Sequence, residues 1–244
     1  MAGEAYRFRL PTFSKNIITI VGGYGSGKSE IAVNLARYLK LNQSEPVVIA
    51  DLDIINPYFR SREASRELAN LGIKSLIPEG ENFYAELPII IPEIKTAIER
   101  GEGKLILDIG GDETGARVLS SLSDAFTPGQ YELLLVLNAR RPFTSDLAGC
   151  QKMLADIEAA SRLKFSGLIS NSHLMDETDP DTVLQGLELA NKVSRKTNLP
   201  VVFISMTTDI MDKIEPRLID LPVLALDRSL LKPWERKKVS GKNK

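Results

Sequence analysis

Residues 17–29 read IITIVGGYGSGKS, and the reading of this stretch decides the fold. Five consecutive β-branched residues, Ile17 to Val21, predict a strand. Beyond the glycines, Ile31, Leu35 and Leu39 recur every four residues, which predicts a helix from Gly27 to Leu41 with that stripe against a sheet. The pattern Gly22-x₄-Gly27-Lys28-Ser29 therefore lies between a strand and a helix, where backbone N–H groups can surround phosphate oxygens. Gly22, Gly23, Gly25 and Gly27 leave the backbone room to curl, and the positive end of the helix adds to the attraction. Lys28 can reach the β and γ phosphates of a nucleotide, and the Ser29 hydroxyl can ligate Mg²⁺. The candidate nucleotide-binding residues are Gly23, Tyr24, Gly25, Ser26, Gly27, Lys28, Ser29 and Glu30.

Further apolar runs follow at helix-length intervals: VVIA from Val47, KLILDI from Lys104, YELLLVLN from Tyr131, FSGLIS from Phe165, VVFIS from Val201 and VLAL from Val223. That rhythm predicts a three-layer α/β fold of the P-loop NTPase type, with a mostly parallel twisted sheet of about seven strands. Several runs are apolar on consecutive residues, as expected of strands covered by helices on both faces. Helices are also predicted at 144–162 and 181–197. Segment 78–92, PEGENFYAELPIIIP, reads as the least regular part of the first half, because it holds a Glu-Gly-Glu turn and three prolines.

Acids close two of these strands. Asp51 and Asp53 end the second, where a period-two pleat points both to one side. Two neighbouring carboxylates repel unless a cation sits near, so this pair suits metal or water positioning. Asp108 ends the strand KLILD, the position that holds Mg²⁺ directly or through water in nucleotide-binding sheets. Gly110 and Gly111 follow and can let the chain turn under a γ-phosphate, while Asp112 and Glu113 compete with Asp53 for orienting water. In an open parallel sheet the ligand lies beyond the carboxyl ends of the strands, where all of these groups arrive.

After FSGLIS comes Asn171-Ser172-His173-Leu174, a place where such sheets set an amide against the base. A guanine reader is expected to carry an aspartate three residues beyond the asparagine, and Leu174 stands there, so ATP is favoured over GTP. His173 reads as structural. Cys150 falls on an apolar helical stripe with Leu147, Leu154 and Ile157 and reads as a packed core thiol.

With 244 residues the chain suits one large domain, expected over 1–231, followed by a basic tail at 232–244. The 31 basic and 32 acidic residues nearly balance, which gives no global field directed at nucleic acid or membrane. No window has the apolar length of a secretion signal or a membrane span, so a cytoplasmic location is expected. A lone cysteine and a lone histidine cannot build a closed metal cage in one chain, which leaves a metal-carrier role little local support.

Taken together, GGYGSGKS, ADLD, LDIGG and SNS at these spacings resemble the MinD/ParA group of SIMIBI-class P-loop proteins, from about Asn16 to Asp227. The resemblance implies that Lys28 and Ser29 bind phosphate and Mg²⁺ and that Asp53 orients the attacking water. It further implies that Asp51 and Asp108 serve the metal shell and that Asn171 reads adenine. The group hydrolyses ATP slowly and dimerises face to face around it. It also carries a signature lysine near the start of the loop, where this sequence has Gly23. Arg60 with Arg62, or Arg140 with Arg141, lie where an arginine could meet a phosphate instead.

The expected function is thus a slow Mg²⁺-dependent ATPase, a nucleotide-driven switch that works as a homodimer or on a protein partner. Tyr58, Phe59, Phe83 and Tyr84 are candidates for a partner-sensing surface. The alternative is a small-molecule kinase or ATP-dependent ligase, with segment 78–92 lining the acceptor pocket. A third reading is a module that retains nucleotide without turning it over.

Overall fold

The computed structural model describes the backbone of residues 8–53, 60–76 and 83–227, and the side chains of these except at 60–64 and 83–90. Among the described residues eight strands form one sheet: β1 (Ile17–Gly22), β2 (Val47–Asp51), β3 (Lys74–Leu76), β4 (Lys104–Gly110), β5 (Tyr131–Leu137), β6 (Gly167–Ser170), β7 (Val201–Thr207) and β8 (Val223–Leu226). They lie in the order β3-β2-β4-β1-β5-β6-β7-β8, and every neighbouring pair is parallel. The runs read from sequence all form strands. The eighth, β3, holds only three residues at the sheet edge, too short to register as a periodic pattern.

Six longer helices among the described residues cover the sheet: α1 (Lys28–Asn42), α2 (Arg60–Asn70), α3 (Phe83–Arg100), α4 (Glu113–Leu122), α5 (Leu147–Ser161) and α6 (Pro180–Thr197). Strand side chains alternate between two cores, as the pleat requires. Ile18 and Ile20 of β1, Ile106 of β4 and Leu134 and Val136 of β5 pack with Ile31, Leu35 and Leu39 of α1 and Leu68 of α2. Ile17, Val21, Leu107 and Leu135 face the other way, onto residues from α3 to α6, including Ile94, Leu119, Cys150 and Val193. Each fully buried Ile or Leu contributes about 1.5–3 kcal/mol. The two-sided burial explains why the strands read as continuous apolar runs.

The helices expected at 27–41, 144–162 and 181–197 are present within three residues of those bounds. Segment 78–92 departs from its irregular reading, because α3 begins at Phe83 and runs through Pro88 and Pro92 to Arg100. Ile94 and Ile98, one turn apart, bury into the core and supply the drive that its prolines oppose. Residues 77–82, with the side chains of Phe83 and Tyr84, lie outside the described residues, as do Tyr58, Phe59, the side chains of Arg60 and Arg62, and the tail at 232–244. Among the described residues no helix is long and apolar enough to cross a membrane.

Candidate functional site

The loop between β1 and α1 sits at the carboxyl edge of the sheet, beside the ends of β4 and β5. Its tip is a turn closed by the Ser26 N–H donating to the Gly23 carbonyl at 3.0 Å. Gly25, third in that turn, has φ +73°, a conformation that side-chain-bearing residues rarely adopt. Tyr24 occupies the outer corner and is 78% exposed. Ser26 is buried, Gly27 caps α1 with φ +86°, and Ser29 and Glu30 open the helix, both half-buried. Gly111 closes the loop from below: its N–H donates to the Gly22 carbonyl at 2.9 Å, and a Cβ there would stand 2.5 Å from the Gly22 carbonyl carbon.

Lys28 points into this corner. Its Nζ is 2.6 Å from Asp53 Oδ2, and both side chains are only 7% exposed. Burial by itself pulls the lysine pKa down. Asp108, Asp53 and Asp51 outweigh that pull and hold it above the ordinary lysine value, so the ammonium stays charged.

The three acids come together as the sequence suggests, although the pleat is not the whole reason. Asp51 and Asp108 are register partners at the ends of β2 and β4. β2 stops at Asp51, and the Asp53 N–H turns back to donate to Asp51 Oδ1 at 3.1 Å, so a local turn delivers Asp53. Asp108 is wholly buried, and among the described residues neither of its carboxylate oxygens completes a hydrogen bond of normal geometry. Burial pushes its pKa up to about 7, against the pull of Lys28; Asp53 adds to the rise, and the adjacent Ser29 hydroxyl favours the charged form.

Ser29, Asp51 and Asp108 are hard oxygen donors and could hold Mg²⁺. The wholly buried Asp108 carboxylate beside a hydroxyl is the kind of under-satisfied group a cation completes. No cluster of three or more His, Cys, Asp or Glu residues is gathered for a metal among the described residues. Magnesium does not need one, since it takes one or two carboxylates and fills its shell with water and phosphate oxygens.

One oxygen of Asp112 serves structure: its Oδ1 accepts the Gly115 N–H at 2.9 Å and caps α4. Its Oδ2 and Asp53 Oδ1 both lie within 3.3 Å of where a Gly110 Cβ would be, so the absent side chain leaves space between two carboxylates. Glu113 is exposed on α4.

A cleft opens between α1 and the ends of β6 and β7, lined by Gly27, Glu30, Asn171, His173, Thr207 and others. Asn171 stands in its wall with both ends of its amide engaged. Nδ2 donates to the Ser26 carbonyl at 2.7 Å, and Oδ1 accepts from Ser205 Oγ at 2.9 Å. His173 Nε2 would be 3.2 Å from a Cβ on Gly27, which brings this histidine to the start of α1. Two relationships were invisible to sequence reasoning: the tie of Asn171 to Ser26 and that of Arg141, whose Nε donates to the Gly25 carbonyl at 2.8 Å. Both join residues more than a hundred positions apart, and no local pattern announces them.

A parallel sheet in this order, with helices on both faces and a glycine-rich loop leading from its central strand into α1, defines a P-loop NTPase fold. Solved structures share it. Signal recognition particle receptor FtsY from Elizabethkingia anophelis, in complex with GDP, aligns with a TM-score of 0.54 and 18% identity, covering 82% of this chain and 60% of that one. Chloroplast FtsY from Physcomitrella patens gives 0.53 and 17%, covering 82% and 61%. A nucleotide-binding protein in complex with ADP from Archaeoglobus fulgidus gives 0.51 and 15%, covering 83% and 87%. The chain thus spans about three fifths of the FtsY chains, and these likenesses are of fold. No protein-family model matches the sequence, and no curated protein matches it.

Proposed function

We propose that the protein binds ATP with Mg²⁺ at the β1–α1 loop, hydrolyses it slowly, and acts as a nucleotide-driven switch for a second subunit or a partner protein. The observation that carries this reading is the buried Lys28 ammonium, 2.6 Å from Asp53 at the base of the glycine-rich loop and beside Asp51 and Asp108. A charged lysine surrounded by acids at the start of a helix can exchange one anionic partner for another, and a glycine-rich loop leading into a helix N-terminus suits a phosphate chain.

In this reading Lys28 leaves Asp53 for the β and γ phosphates as ATP enters. Asp53, released, orients a water on the γ-phosphorus. The water oxygen bonds to phosphorus, the bond to the bridging oxygen breaks, and the proton leaves through Asp53 as ADP and inorganic phosphate form. Mg²⁺ bound by Ser29, Asp51 and Asp108 would neutralise charge on the phosphates. The base and ribose occupy the cleft beside Asn171, and Leu174 offers guanine no carboxylate, which favours ATP.

Homodimerisation and membership of the MinD/ParA group rest on the resemblance of motifs. Tyr24 and Phe143, 78% and 65% exposed at the loop's rim, supply apolar surface for such a contact. A cytoplasmic location is part of the same proposal. ATP and GTP binding and hydrolysis, with molecular size measured alongside, test the reading. A switch shows slow acceptor-free ATPase and an ATP-dependent change in size. A kinase or ligase stays silent until its acceptor is added, and a passive module binds ATP tightly without releasing phosphate.

A further inference from the structure

Arg141 reaches the glycine-rich loop from the turn that follows β5. Its Nε donates to the Gly25 carbonyl at 2.8 Å, and the guanidinium fills the space beside Gly25. A Cβ on Gly25 would lie 2.9 Å from Nε and 3.2 Å from Cζ. The base of this arm is fixed. The Arg141 N–H donates to the Asn138 carbonyl and its carbonyl accepts from the Thr144 N–H, both at 3.0 Å, while the buried Thr144 hydroxyl donates to the Asn138 carbonyl at 2.9 Å.

Gly25 is where the loop most needs such a hold. Glycine at positive φ has wide backbone freedom, and nothing in its own side chain resists a swing of the peptide that follows it. Because the peptide is planar, fixing the Gly25 carbonyl also fixes the direction of the Ser26 N–H and hence the turn back to Gly23. A donor placed on that carbonyl from a rigid neighbouring turn keeps the loop in one curve before any ligand arrives, which lowers the ordering cost of binding.

We infer that Arg141 is a positioning residue for the phosphate loop, and that it acts through its Nε–H on Gly25 and not through its charge. This deepens the proposed nucleotide site and rests on it. The two contributions separate by substitution. In Arg141→Gln a side-chain N–H donor falls at the same number of bonds from Cα as Nε, without the charge. In Arg141→Lys the charge remains but a methylene stands at that place.

Calorimetry with magnesium and either ATP or inorganic tripolyphosphate tests this on the full chain, with the melting temperature of each ligand-free variant as the check on folding. Arg141→Ala is expected to weaken both ligands about tenfold, the upper end for one lost hydrogen bond. Arg141→Gln should recover most of the loss and Arg141→Lys little, with melting temperatures near the parent's. Parent-like binding by Arg141→Ala or Arg141→Lys, or a Gln variant as weak as the Ala variant, overturns the inference while the nucleotide site stands. A parent chain that takes up neither ligand overturns the site, and the inference with it.

Discussion

Lys28 Nζ stands 2.6 Å from Asp53 Oδ2, with both side chains buried and the carboxylates of Asp51 and Asp108 acting on the same ammonium. The lysine is therefore part of the ligand-free architecture as well as a candidate phosphate ligand. Removing it strands buried acids. Lys28→Ala is expected to lose about 3 kcal/mol of unfolding free energy, measured by urea melts without nucleotide, along with nucleotide uptake. Parent-like stability would mean that the acids do not depend on this ammonium.

Asp108 shows the opposite balance. It is wholly buried, its oxygens lack well-formed hydrogen bonds among the described residues, and burial lifts its pKa to about 7. Asp108→Asn keeps the shape and removes a charge that water no longer solvates. The ligand-free variant is expected to be about 1–2 kcal/mol more stable than the parent, and to lose the gain in melting temperature that magnesium with ATP gives the parent. A destabilised variant would place Asp108 among the groups that hold the fold together.

Asn171 ties the cleft to the loop through Ser26 and is held in turn by Ser205. Its remaining N–H can meet a purine acceptor, and N7 is one that adenine and guanine share. Asn171→Ala should weaken ATP and GTP by the same factor, about tenfold, as read by competition binding. A change in the ratio of the two affinities would make Asn171 a selector of the base.

Cys150 is fully buried on α5, and burial, with Asp146 adding to it, pushes its thiol up to about 12. A raised folded pKa means that stability holds below the unfolded value near 9 and declines as pH rises from there towards 12. At pH 8 the native thiol should react with a disulfide reagent at least about 100-fold more slowly than in urea. Equal rates would show that α5 opens readily.

The strand–loop–helix core was legible because its signals are local: β-branched runs, glycines at fixed spacing, and an apolar stripe every four residues in α1. The acids at strand ends were legible for the same reason, since a charge that closes a buried strand stands out. β3 was missed because three residues carry no period, and α3 because Pro88 and Pro92 read as breaks while its hold on the core through Ile94 and Ile98 depends on the assembled sheet. The ties of Arg141 to Gly25 and Asn171 to Ser26 arise only when β5 pairs with β1 and β6 with β5, so their partners could not be paired by spacing.

Titration of the parent and of Lys28→Ala with ATP, magnesium present, is the most direct measurement of whether a triphosphate occupies the β1–α1 loop. The account predicts one ATP taken up per parent chain, with micromolar or tighter affinity, and at least about a hundredfold weaker uptake by the variant. A parent that binds neither ATP nor GTP, or a variant that binds ATP as the parent does, would contradict it.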